Sequence, residues 1–279
     1  MADSDLTERE SEVTPPGFND PPFVLPDTVE LRTGIVYSRP SGRELTLDLF
    51  LPKHQTGRKP GMIFVHGGGW RGGTPRQFWR QATHLAALGW PGVSISYRFT
   101  PEFHFPSQLE DAQAGVRWLR AHADELGVDP NRIGAAGGSA GGHLVALLGT
   151  TNVVVDRIHS RVQAVVSFNG VFDFPTLMTE DAREPRRALL GDDPEAPIRA
   201  SPLYHVDENA APTLLLHGTA DVTIPIAQSL AFQQKLQACG VRAELFVAEG
   251  AAHGFFNRPP FYQPTLERME HFLREILGD

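Results

Sequence analysis

The chain has 279 residues, with 25 basic and 33 acidic side chains, a net charge of −8, 41% hydrophobic residues and one cysteine, Cys239. This length suits a single domain with a core that needs no metal or disulfide staple, and one cysteine excludes an internal disulfide framework. The acid excess, with no Lys/Arg run, argues against a nucleic-acid partner, and no apolar stretch reaches the roughly 18 residues that a membrane span needs.

Residues 1–30, rich in Pro, Asp and Glu over most of their length, are expected to form a flexible or loosely docked arm. They carry neither a basic start nor an apolar stretch, so no signal peptide is visible and a cytoplasmic location is expected. Residues 31–279 are then expected to form one domain. Residues 45–51 alternate apolar and polar, which predicts a half-buried strand in an antiparallel start to the sheet.

Beyond that point short continuous apolar runs alternate with helical spacing. Strands are expected over residues 62–65, 92–96, 132–136, 162–167, 213–216 and 243–247. Helices are expected over 76–88, 109–122, 139–148, 227–238 and 263–277. Such alternation means βαβ units and a mostly parallel central sheet of about eight strands with helices on both faces. Residues 168–212, punctuated by Pro175, Pro185, Pro194, Pro197 and Pro202, lack a clear period and are expected to form a small cap-like insertion.

In open parallel sheets the site lies at the carboxyl ends of the strands, so the residues that follow each strand matter most. The strand ending at Ala136 runs into Gly137-Gly138-Ser139-Ala140-Gly141, the G-x-S-x-G pattern, and then a helix. A sharp strand-to-helix turn of this kind projects a serine hydroxyl from the sheet edge, and the flanking positions must be tiny for the turn to fit. The strand over 62–65 is followed by His66-Gly67-Gly68-Gly69-Trp70. Consecutive glycines let backbone N–H groups approach a developing oxyanion, which assigns that role to Gly68 and Gly69 with Ala140. His66 is expected to pin this loop rather than to act as a base.

Chain order then selects the partners: serine, an acid, a histidine. Asp221 follows the strand over 213–216, and His253 follows the last strand. The expected triad is therefore Ser139 as nucleophile, His253 as base and Asp221 as the acid that orients the base. Glu249 lies too near His253 along the chain to be the usual partner, and Asp173 follows the wrong strand. Trp70, Phe172, Phe174 and Phe255 are candidates to line a substrate pocket or to be core. The remaining histidines have no metal-ligand spacing, so no metal and no cofactor are expected.

Several segments together resemble a known group. They are His66 to Trp70, Tyr97-Arg98 with Phe105-Pro106, Glu110-Asp111 with Trp118, the Gly137–Gly142 elbow, His217 to Asp221 with Pro225, and His253-Gly254. They are similar to the hormone-sensitive-lipase-like esterases and, within them, to the bacterial feruloyl and acetyl-xylan esterase-type enzymes, over about residues 31–277. The resemblance implies an α/β-hydrolase fold and a serine carboxylesterase that forms an acyl-enzyme with short acyl or aromatic acyl esters. A small-molecule ester is the implied partner, and the expected assembly is a monomer or homodimer. Residues 1–30 are too short and Pro-rich to match the helical cap of the lipase-like members. The H-G-G-x-W loop is also similar to that of kynurenine formamidases, so an arylformamidase is the alternative. A non-catalytic binding protein on the same fold is the remote one.

Overall fold

The computed structural model describes residues 23–177 and 183–279. Most of the expected N-terminal arm, residues 1–22, and residues 178–182 of the expected cap-like insertion lie outside the described residues.

An eight-stranded sheet forms the centre. In chain order its strands are β1 (Val29–Ser38), β2 (Leu45–Pro52), β3 (Lys59–Val65), β4 (Gly92–Ile95), β5 (Val128–Gly138), β8 (Ala164–Phe168), β9 (Thr213–Gly218) and β10 (Ala243–Ala248). The numbers β6 (Val154–Val155) and β7 (Ile158–His159) belong to a separate small hairpin. The spatial order is β1-β2-β4-β3-β5-β8-β9-β10. β2 runs antiparallel to both neighbours, and from β4 to β10 every pairing is parallel.

The continuous apolar runs are explained by burial on both faces. In β3, Met62 and Phe64 join one core cluster, and Ile63 and Val65 join the other. The first cluster is closed by α1 (Trp79–Ala87), through Ala82 and Leu85, and by α8 (Tyr262–Leu277), through Met269 and Phe272. The second is closed by α2 (Ser107–Ala121), whose Leu109, Ala112, Val116 and Leu119 make one stripe, and by α4 (Ala140–Thr150). The short α3 (Ala123–Leu126) stops at Gly127 in the left-handed region. α7 (Ala227–Ala238) covers the β9–β10 end with Phe232 and Leu236. The connection from β8 to β9 carries α5 (Arg183–Leu190) and α6 (Ala196–Arg199).

The expected strands and long helices are present, with shifted ends. The helix expected from Arg76 begins instead as a 3-10 turn, Pro75–Phe78, with Pro75 at its first position. Among the strands of the central sheet, β1 is the one that the sequence pattern missed. It is a half-exposed edge strand with a register shift between Arg32 and Ile35, around Gly34 at φ +73°, and this breaks the period of two.

Candidate active site

The ends of β3, β5, β8, β9 and β10 deliver the site. β5 turns into α4 at Ser139, whose φ of 55° and ψ of −119° place it outside the regions that L-residues favour. The turn is fixed on both sides: the Ser139 N–H donates to Phe168 O at 2.9 Å and Ser139 O accepts the His143 N–H at 3.0 Å. Two glycines make the turn possible. A Cβ on Gly141 would lie 1.9 Å from Val65 O, and one on Gly137 would lie 2.5 Å from Gly141 O. No side chain fits at either position, which is the steric reason for the G-x-S-x-G spacing.

Ser139 Oγ lies 2.9 Å from His253 Nε2, and His253 Nδ1 lies 2.7 Å from Asp221 Oδ2. His253 is reached by the loop after β10 and is partly open, its side chain 25% exposed, whereas the Asp221 side chain is fully buried. Asp221 Oδ1 accepts the N–H groups of Thr223 and Ile224, both at 2.9 Å. Burial pushes its carboxyl upward. The hydrogen bonds from His217, His253 and the Ile224 amide outweigh that and hold it well below the usual carboxylate range. Ser139, His253 and Asp221 therefore stand in one hydrogen-bonded line. Asp173 is elsewhere, accepting from the Tyr204 hydroxyl at 3.2 Å, and Glu249 is engaged with Thr219.

His217 stands behind the acid. Its Nε2 faces two oxygens, Ile224 O at 2.8 Å and Asp221 Oδ2 at 3.4 Å, so Nε2 carries the proton and Nδ1 accepts from the Ser229 hydroxyl at 2.7 Å.

The glycine loop after β3 runs against the nucleophile: a Cβ on Gly67 would sit 3.2 Å from Ser139 Cβ. The Gly67 N–H is taken by Gln77 Oε1 at 2.6 Å. Gly68 and Gly69 follow with φ of 122° and 61°, and Trp70 keeps the left-handed backbone at 59°. Among the described residues, no backbone carbonyl takes the amides of Gly68, Gly69 and Ala140. His66 lies beneath the loop, stacked on Tyr97 with ring centroids 4.4 Å apart, and donates from Nδ1 to Gly67 O at 2.7 Å. Burial holds its imidazole down to about 4, against that hydrogen bond, so it is neutral at pH 7.

Trp70 anchors the far end of the loop. Its indole N–H donates to His143 Nδ1 at 3.2 Å, and His143 Nε2 in turn donates to Ala200 O at 2.6 Å. His143 is fully buried on α4, and desolvation lowers it to about 4, so the neutral Nε2–H form is the one that bridges. Trp70 and Phe174 pack together with Ala140, Val171, Leu189 and Ile224 in an apolar cluster beside the nucleophile.

Of the aromatic candidates, Phe172 and Phe255 take the core alternative. The Phe172 amide is held by Gln228, which turns its ring onto Phe232 at 4.5 Å in the core under α7. Phe255 follows Gly254, at φ +75°, and packs edge-on to Phe256 and Phe261 in the cluster closed by α8.

Two side chains at the site were not singled out from sequence. Gln77 gives no pattern of its own. Asn169 follows β8 directly, in the position that yields functional residues after β5, β9 and β10, and that placement was the available signal. Its Nδ2 lies 3.2 Å and 3.3 Å from the two ring nitrogens of His253.

Comparisons with known proteins agree with this arrangement. The BD-FAE family model matches residues 47–236. Esterase LipC of Mycobacterium tuberculosis is 36% identical over 219 residues, 70% of this chain and 53% of that protein. The probable carboxylic ester hydrolase LipM of the same organism is 34% identical over 65% of this chain and 46% of that protein. The chain thus spans about half the length of these curated relatives. A thermophilic esterase structure from Thermogutta terrifontis superposes with a TM-score of 0.78 at 35% identity, covering 90% of this chain and 94% of that one. With the strand order, the elbow and these matches in agreement, the chain belongs to the BD-FAE family of α/β-hydrolase-fold esterases.

Proposed function

We propose that the protein hydrolyses short-chain carboxylic esters through an acyl-enzyme on Ser139. The observation that carries this reading is the line from Ser139 Oγ to His253 Nε2 at 2.9 Å and from His253 Nδ1 to Asp221 at 2.7 Å. Ser139 Oγ attacks the ester carbonyl while its proton passes to His253 Nε2. Asp221, ionised far into the acid range, holds the Nδ1–H tautomer and offsets the imidazolium charge. The amides of Gly68, Gly69 and Ala140 receive the oxyanion. His253 then protonates the leaving alcohol. In the second half it takes a proton from water, which attacks the acyl carbon, and the acid leaves as Ser139 regains its proton.

Two features favour small acyl groups. Trp70 and Phe174 fill the space beside Ala140 with buried aromatic bulk, and we assign them to the acyl side of the site. The Thermogutta terrifontis esterase has been solved with propionate and with butyrate bound. Residues 168–212 are proposed as a small cap over this side.

The test is turnover of p-nitrophenyl acetate, butyrate and octanoate, methyl ferulate and N-formylkynurenine by the wild type and by Ser139→Ala. Acetate and butyrate esters are expected to lead, with turnover lost in the variant. Ester hydrolysis that survives Ser139→Ala overturns the mechanism. A clear preference for N-formylkynurenine replaces the esterase with an amide hydrolase.

A further inference from the structure

Asn169 combines three features that folding alone disfavours. It is fully buried, its backbone is left-handed at φ +40°, and its Oδ1 is a buried acceptor with no hydrogen-bond partner. An unpaired buried acceptor is costly, and strained, unsatisfied residues gather at functional sites. The backbone of the residue is well tied, its N–H donating to Leu216 O at 2.8 Å, and the preceding Phe168 O receives the Ser139 N–H. Its position relative to the nucleophile is therefore set by the strand ends.

The side chain meets the imidazole of His253 in an unusual way. Nδ2 is nearly equidistant from both ring nitrogens, at 3.2 and 3.3 Å. Both in-plane directions of those nitrogens are already used, by Asp221 and by Ser139. A group that close to both nitrogens and in the ring plane would overlap Cε1, so the amide lies over the ring face. Asn169 is thus a flat plate on the ring, placed to stop it from tilting out of the line between Asp221 and Ser139.

We propose that Asn169 is a positioning residue that braces His253 in its working plane, an inference that rests on the triad reading above. Among the described residues, the ionisable side chain hydrogen-bonded to His253 is Asp221, with His217 behind it. The α4 end contributes Ser139, and the turn after β8 contributes Asn169. A left-handed backbone by itself selects Asn, and Gly serves that need equally well, so Asn169→Gly separates the two explanations: it keeps the turn and removes the plate.

The experiment measures kcat, KM and the pH profile of kcat/KM on p-nitrophenyl butyrate for wild type, Asn169→Gly and Asn169→Asp, with Ser139→Ala alongside. For Asn169→Gly we expect an unchanged melting temperature and kcat about tenfold lower at nearly constant KM. In Asn169→Asp the added carboxylate over the ring moves the acid limb of kcat/KM to higher pH. Wild-type kcat in Asn169→Gly, or a change confined to KM, overturns the proposal. If Asn169→Gly does not fold, the isosteric Asn169→Asp decides alone: a raised limb supports the proposal and an unmoved limb overturns it. Retained turnover in Ser139→Ala is the separate result that removes the triad reading itself.

Discussion

The rim formed by the ends of β3, β5 and β9 is held by backbone, and the apolar cover beside it is held by side chains. On the rim, glycines sit where a Cβ would strike main-chain oxygen, and the loops are tied through N–H and C=O groups. In the cover, Val171, Phe174, Leu177, Leu189 and Ala196 interlock as ordinary core residues, with the Trp70–His143–Ala200 chain as a polar tie. Backbone contacts admit almost no substitution, whereas packed side chains of similar volume exchange at modest cost. The chemistry should therefore be fixed in the rim and the acyl preference adjustable in the cover.

The sharpest break of that contrast is Asp221→Asn. It keeps the shape but removes the charge that selects the His253 tautomer, and kcat on p-nitrophenyl butyrate is expected to fall about 10³–10⁴-fold. Next comes Gly141→Ala. Its Cβ meets Val65 O at 1.9 Å and His66 O at 2.7 Å, both backbone, so the elbow must distort. Activity should fall by about 10²-fold or more, with a lowered melting temperature. Gly69→Ala is the control. It has open space around its Cβ and only the left-handed φ of 61° to strain it, so its loss should be smaller.

In the cover, Phe174→Leu should leave butyrate turnover within a few-fold and raise the octanoate-to-butyrate ratio of kcat/KM by about tenfold. An unchanged ratio would remove Phe174 from the acyl side. The last expected effect is on stability rather than on activity. His66 and His143 have folded values near 4, below the ordinary 6.5, so the unfolded chain binds their protons first. Stability is complete above about pH 6.5 and declines as pH falls toward 4, with each group contributing about 1.4 kcal/mol per pH unit inside that window. Melting temperatures measured between pH 7.5 and 4.5 check this, and a flat profile contradicts it.

The triad and glycine loop are legible in sequence because their constraints are local. Gly141 must be glycine for its neighbour in the turn to be presented, and Asp221 and His253 follow apolar runs whose direction the βαβ pattern sets. For Phe172 and Phe255 the sequence left pocket and core both open because a ring's direction depends on the turn that carries it, and those turns are set by Gln228 and Gly254. Asn169 carries no motif: its contact with His253 joins two residues 84 apart in sequence. β1 was hidden by the irregular register that keeps an edge strand from being a clean alternation.

Gln77 gives the loop after β3 a property that its composition conceals. Five of residues 67–73 are glycine, a makeup expected of a supple linker. Yet Gln77 holds the Gly67 N–H and takes a hydrogen bond on its own carbonyl from Asn257, which also receives Gln81. Thr100 and His143 fix Trp70 at the other end. The entropy of ordering this segment is lost once, when the chain folds, and is not lost again with each substrate that arrives. Loosening Gln77 would make every turnover repeat that ordering, and the penalty would grow with temperature.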